Sequence, residues 1–322
     1  MQSDEIPDAL PADFPEAPAP APYRNLWVPL VVVPALIVMV LVLVWVLFGS
    51  IAGSEKNPAE NVQRMVEGNS NEREQAAQLL VNQIQGYLDD VGAGKEPAWE
   101  LDASFLPGVE QALADLDEDE LEFRYVLAFV QLELGDAQGL DHMLALLGSG
   151  EDLDPGAEMR FRVLYALGLL GPAFAPAGRE RAVTAVLPFL ANQDAGLRLM
   201  ATVALRGLPS ERSVSALKGA LGDGVLGVRG NAAISLAELG DPAGAPVLRE
   251  LLDTGSYAAE RAASPNRWAS AERVSESRIQ AVRALARLGR PEDLAALEPL
   301  AQDDDDPNVR GAALRALADA SR

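Results

Sequence analysis

Two runs of carboxylates, DLDEDE at 115–120 and DDDD at Asp303–Asp306, are by residue type the stretches best suited to hold a cation. A calcium loop needs alternating ligands, a glycine at its turn and a closing Glu, and DDDDPNVRGAAL has neither the glycine nor the Glu at the required place. His142 is the only histidine, and there is no cysteine. These facts exclude a thiolate nucleophile, an HExxH helix, a multi-histidine metal cluster and every cysteine-based zinc site. No glycine-rich phosphate loop is present in the sequence either. The chain is therefore expected to be non-catalytic, with no cofactor and no metal. Its 48 acidic residues against 26 basic ones leave a net charge of −22, which repels a phosphate backbone, so nucleic acid is not an expected ligand. Three of the 26 basic residues are lysines (Lys56, Lys95, Lys218), which leaves 23 arginines. With abundant Ala, Leu, Gly and Pro, this composition suggests a GC-rich bacterial source.

The acidic run near the end belongs to a pattern that recurs. Arg310, Ala313 and Leu317 form R-x-x-A-x-x-x-L, and the same spacing is found at Arg73, Arg198, Arg229 and Arg278. RFRVLYAL from Arg160 keeps it with valine in the alanine place, and a looser copy at Arg124 has Gln131 where leucine is expected. Positions three and seven beyond the arginine share one helix face, and a small residue there lets a neighbouring helix come close. Six residues before the arginines stand Glu67, Glu118, Asp154, Asn192, Asp223, Glu272 and Asp304, six acids of seven. Each lies where a loop turns into a helix, facing the helix dipole and the arginines of its own or adjacent repeats. The four aspartates thus open a helix, with Asp306 as N-cap and Pro307 in the first turn.

An amphipathic helix is expected before each arginine-bearing one, at about 58–66, 106–115, 137–147, 178–191, 210–221, 242–252 and 291–301. Asn57, Pro58 and Glu60 are expected to cap the first in a capping box. The arginine, alanine, leucine and acid positions resemble bacterial HEAT repeats, the short variety also found in phycocyanobilin lyase subunits, over roughly residues 55–322. The resemblance implies an all-α HEAT-like α-solenoid of about seven helix pairs, with the second helix of each pair lining the concave side. It also implies a structural ladder of Arg73, Arg124, Arg160, Arg198, Arg229, Arg278 and Arg310 with Asp154, Asp223 and Asp304. The lyase subtype keeps a bilin-lyase-like chaperone or ligase open as an alternative function.

Before the repeats, residues 1–25 are acidic and rich in Pro and Ala, the composition of a disordered tail. Residues 26–48 are 23 uncharged, mostly apolar residues, long enough as a helix to span a bilayer and flanked by Tyr23, Trp27, Trp45 and Phe48. Pro34 is expected to kink that transmembrane helix. Residues 49–56 form a short linker, and 57–322 the repeat domain. A cleaved signal peptide is the rival reading, disfavoured by the length of the apolar run and the acidic residues before it. The flanking charges, Arg24 against Lys56 and Arg64, lean towards a cytoplasmic repeat domain on a single-pass protein of the bacterial inner (plasma) membrane. GSIAG at 49–53 matches a small-xxx-small pairing motif, so a homo-oligomer through the span, a self-associating structural anchor, is a further alternative.

Function is expected along the concave face or in loops that interrupt the repeat, where a protein partner would bind. The longest interruption, 253–272, holds Tyr257, Arg261, Arg267 and Trp268, residue types that dominate interfaces. A second candidate group is Tyr125, Phe129 and Tyr165, with Phe161 and Arg162 beside them. Core filling is the competing role for the aromatics. Arg283, Arg287 and Arg315 are placed either in the groove or as solvated partners of nearby acids. The sequence function is thus a membrane-anchored protein-binding scaffold or accessory subunit.

Overall fold

The computed structural model describes residues 57–258, 262 and 270–321. The expectations for the tail, the apolar span and the linker lie outside these residues, as do Arg261, Arg267 and Trp268. Among the described residues there is no strand, and no helix is long and apolar enough to cross a membrane.

The described chain is a series of helical hairpins. The first helices are α1 (Pro58–Glu67), α3 (Phe105–Asp115), α5 (Gln138–Leu147), α7 (Pro176–Val186), α9 (Glu211–Ala220), α11 (Ala245–Leu252) and the pair α13 (Pro291–Ala295) and α14 (Glu298–Asp303). Each is followed by an arginine-bearing helix: α2 (Ser70–Gly92), α4 (Leu121–Glu133), α6 (Glu158–Leu170), α8 (Ala195–Arg206), α10 (Leu226–Glu238), α12 (Ala271–Leu288) and α15 (Pro307–Ala320). Successive second helices pack on one another from α2 through to α15. Three first helices expected to be continuous are broken. Residues 187–191 and 242–244 are tight 3-10 turns, and α13 stops before α14 begins. A proline at the second position of each restarted segment, Pro188, Pro246 or Pro299, removes the backbone donor that would carry the α-helix through.

Helix starts follow local chemistry. Asp306 accepts from the Asn308 amide at 2.8 Å with Pro307 behind it, as the sequence implied. Asn57 caps α1 through the Ala59 amide, but the reciprocal capping box forms one helix later, between Asn69 and Glu72 at the start of α2. At the other end, α12 stops on Gly289 at φ 65°, a left-handed cap that a side chain would strain.

The repeat register sorts inside from outside. The residues three beyond the seven arginines (Ala76, Leu127, Val163, Ala201, Ala232, Ala281, Ala313) are all 0 % exposed. Those seven beyond are buried as well, apart from the half-buried Leu317. At 100° per residue these two positions lie about 40° apart on the helix, so one narrow stripe holds each second helix against its neighbours. The tightest approach is between α6 and α8: a Cβ on Gly207 would lie 1.7 Å from the carbonyl oxygen of Gly168.

Candidate functional site

All seven ladder arginines do the same first job. Each guanidinium donates to a backbone carbonyl at the end of the first helix of its own hairpin or in the loop that follows it. The acceptors are Met65 for Arg73 at 2.6 Å, Leu116 for Arg124 at 3.0 Å, Asp154 for Arg160 at 2.7 Å and Asn192 for Arg198 at 2.9 Å. They are Asp223 for Arg229 at 3.4 Å, Leu252 for Arg278 at 2.8 Å, and Asp304 for Arg310. A charged donor thus ties the exposed carbonyl end of one helix to the next. For Arg278 the bond reaches across the whole 253–270 insertion and holds its neck.

The second job, pairing with an acid, is less regular. Arg198 holds Asp223 in a bidentate fork at 2.8 and 3.1 Å, and Arg278 holds Asp304 in the same way, both pairs linking one hairpin to the next. Arg73 reaches Glu120, with Phe123 under its guanidinium at 4.2 Å, and Arg229 takes Glu250 at 2.6 Å. These two acids replace the expected Glu118 and Glu272, which are exposed. Glu120 is two residues nearer α4, and the insertion carries Glu272 away from the hairpin boundary while Glu250 on α11 stays beside it. Glu67, the expected acid of the first hairpin, instead accepts from Gln63.

Asn192 explains the remaining exception. The Asp or Asn at this loop position also accepts from the amide two residues on: Asp194 on Asn192, Val225 on Asp223, Asp306 on Asp304. Asparagine keeps that turn and loses the charge. Arg160 accordingly pairs within its own hairpin with Asp154, which is buried and also caps α6 through the Met159 and Arg160 amides.

At Asp223, burial pushes the carboxyl up, but the Arg198 fork and the Val225 amide outweigh it and hold it below the ordinary carboxylate range. The one expected leucine replaced by Gln131 is fully buried, and its amide donates to Glu110 at 2.9 Å; His142 meets the same carboxylate at 2.9 Å. The bonds from Gln131 and His142 lower the Glu110 pKa. The lone histidine therefore sits in a hydrogen-bond pair that joins hairpins, and among the described residues no group of three His, Asp or Glu is placed to hold a metal ion.

The aromatic candidates separate. Tyr257 is core, packed against α11 with its hydroxyl on the Leu251 carbonyl at 2.9 Å. Tyr125 and Phe129 stack with ring centroids 6.0 Å apart and lie half-buried. Tyr165 is 55 % exposed, and Leu169, one turn further on α6, is 54 % exposed. Arg162 beside them is held by Glu122 at 2.5 Å and Glu158 at 3.3 Å.

Tyr165 and Leu169 stand five and nine residues beyond Arg160, the positions diametrically opposite the buried stripe. The same two positions on the other second helices are Gln78 and Asn82, Phe129 and Glu133, Val203 and Gly207, Ile234 and Glu238, Arg283 and Arg287, and Arg315 and Asp319; none of them is buried. Apart from Gly207, which caps α8 against Gly168, they form the open face of the second-helix row. Its character changes along the row: neutral and polar on α2, aromatic and aliphatic with the acid Glu133 on α4 and α6, aliphatic with the acid Glu238 on α8 and α10, and basic with the acid Asp319 on α12 and α15. Shallow grooves lie between neighbouring second helices, one of about 710 Å³ beside Gln78 and Asn82 and one of about 490 Å³ beside Arg283 and Arg315.

The protein family described as HEAT repeats matches residues 183–264 and 267–318, so this part of the chain carries HEAT repeats. No curated protein matches the chain. Among solved structures, human deoxyhypusine hydroxylase in complex with glycerol is 19 % identical over 85 % of this chain and 98 % of its own, with a TM-score of 0.31. An engineered protein is 17 % identical over 82 % of this chain and 96 % of its own, with a TM-score of 0.40. Neither likeness is close enough to carry an argument about activity.

Proposed function

We propose that the chain is a non-catalytic scaffold, an accessory subunit of a membrane complex, anchored by residues 26–48 and binding a protein partner on the open face of its second helices. The anchor is supported by the uncharged run in the sequence, and the bacterial inner membrane is the setting that fits it. The binding face is supported by HEAT repeats, which as a class present such surfaces. The observation that carries the reading is the Tyr165–Leu169 pair. An exposed aromatic and an exposed aliphatic residue one turn apart, next to an arginine already positioned by two carboxylates, have the make-up of an interface anchor.

The test is site-specific photo-crosslinking in native membranes from position 165, with position 211, exposed on α9, as the control. A discrete adduct from 165 that is missing from 211 and disappears with Leu169→Ser is the expected result. Identical adducts from both positions, or none from 165, would sink the reading.

A further inference from the structure

The open face turns mainly basic over its last two second helices, with three arginines against the single acid Asp319. Arg283 and Arg287 are one turn apart on α12, and Arg315 faces them from α15; all three are exposed. None of the three has a hydrogen bond or ion pair with another described residue, whereas the seven ladder arginines, Arg162 and Arg206 are tied to carbonyls or carboxylates. Like charges spaced four residues apart cost a helix stability, and this cluster keeps three together in a chain of net charge −22. They flank a groove of about 490 Å³ whose floor is alanine, including Ala286, Ala312 and Ala316, and whose one carboxylate is Asp319. Small floor residues let a polypeptide backbone lie close, and planar forks on both walls suit carboxylates approached in pairs.

We infer that this groove binds an acidic peptide segment of a partner protein, its Asp or Glu side chains bridging Arg283 and Arg287 to Arg315. The inference rests on the scaffold reading and names the chemistry of one part of the partner. A nucleic acid is the poorer fit, because its long phosphate backbone would meet the field of the whole acidic chain and the groove lining has no aromatic ring on which a base could stack.

The experiment is fluorescence anisotropy on the full chain in uncharged detergent, with a labelled peptide of alternating Glu and Ala and its Gln–Ala counterpart. The Glu peptide is expected to bind about tenfold or more tightly than the Gln peptide and to weaken as salt rises. The triple variant R283Q/R287Q/R315Q is expected to lose that advantage, while R181Q/R206Q/R212Q, which removes the same charge from elsewhere, keeps it. Ala316→Trp, which fills the floor without changing charge, is expected to weaken binding as well. Equal losses in the two triple variants would overturn the proposal, as would equal binding of the two peptides. Tighter binding of single-stranded DNA or phosphatidylserine vesicles than of the Glu peptide would also overturn it. So would a gain in affinity on deleting residues 1–25, which would make the chain's own acidic tail the occupant. Failure here with an intact crosslink at 165 removes the peptide assignment alone.

Discussion

Asn192 and Asp304 occupy the same place in two hairpins and differ by one oxygen's worth of charge, which separates the two tasks of that position. Both accept from the amide two residues ahead, so both make the turn. Only the Asp304 side chain also receives a guanidinium, and the pair it forms with Arg278 is nearly closed to water. Asp304→Asn keeps the turn and leaves a buried charge with a neutral acceptor, so a loss of about 2–4 kcal/mol is expected. Chemical denaturation checks it, with the exposed neighbour Asp305→Asn as a control that should lie within about 0.5 kcal/mol of the parent. If both changes have the same small effect, the ladder is ornamental.

Between helices, the closest packing depends on what is missing rather than on what is present. Gly168 and Gly207 let the ends of α6 and α8 touch backbone to backbone, and an added Cβ at 207 has no place to go. Gly207→Ala is expected to cost at least about 2 kcal/mol as the two helices are forced apart. Gly219 sits inside α9 with nothing within 4 Å of its would-be Cβ, and there the same substitution should stabilise by about 0.5–1 kcal/mol. Thermal unfolding of the two variants should therefore shift in opposite directions. A shared sign would mean that the α6–α8 contact yields more easily than the geometry implies.

Taken together, the hairpins share one electrostatic liability. Asp223, Glu120, Asp241 and Asp306 are all held below the ordinary carboxylate range. At Asp223 and Glu120, burial opposes the shift and hydrogen bonds, including those from arginine, prevail; at Asp241 and Asp306 the leading cause is a side-chain hydrogen bond, from Lys218 and Ser275 respectively. A depressed carboxyl stabilises the fold fully above its unfolded value and ceases to do so as pH falls through its folded value. Glu133, raised by burial, acts in the opposite sense, but it is one group against several. The melting temperature is thus expected to be flat from neutral pH to about pH 5 and to drop below about pH 4, where carboxylates ordinarily titrate. Calorimetry across that range checks it. A chain whose stability rose on acidification would show that self-repulsion among its 48 acids outweighs the ladder.

Much of this architecture was legible because its causes are local. An arginine, a small residue three on and an apolar residue seven on define a buried helix stripe without reference to any other part of the chain. The carbonyl each arginine seeks lies within its own hairpin, six or eight residues back for all but Arg278, whose acceptor stands before the insertion. The acids were harder to assign. Glu118 and Glu272 have the right spacing, yet Glu120 and Glu250 hold the arginines, because the choice depends on where the neighbouring hairpin comes to rest. Tyr257 and Tyr165 are the same residue type in similarly helical surroundings, and only the packing of α11 and α12 decides that one is core and the other surface. Spacing along a chain determines which face of a helix turns inward, but which side chains meet across hairpins, and what is left uncovered on the open face, is set by distances between elements that no local pattern encodes.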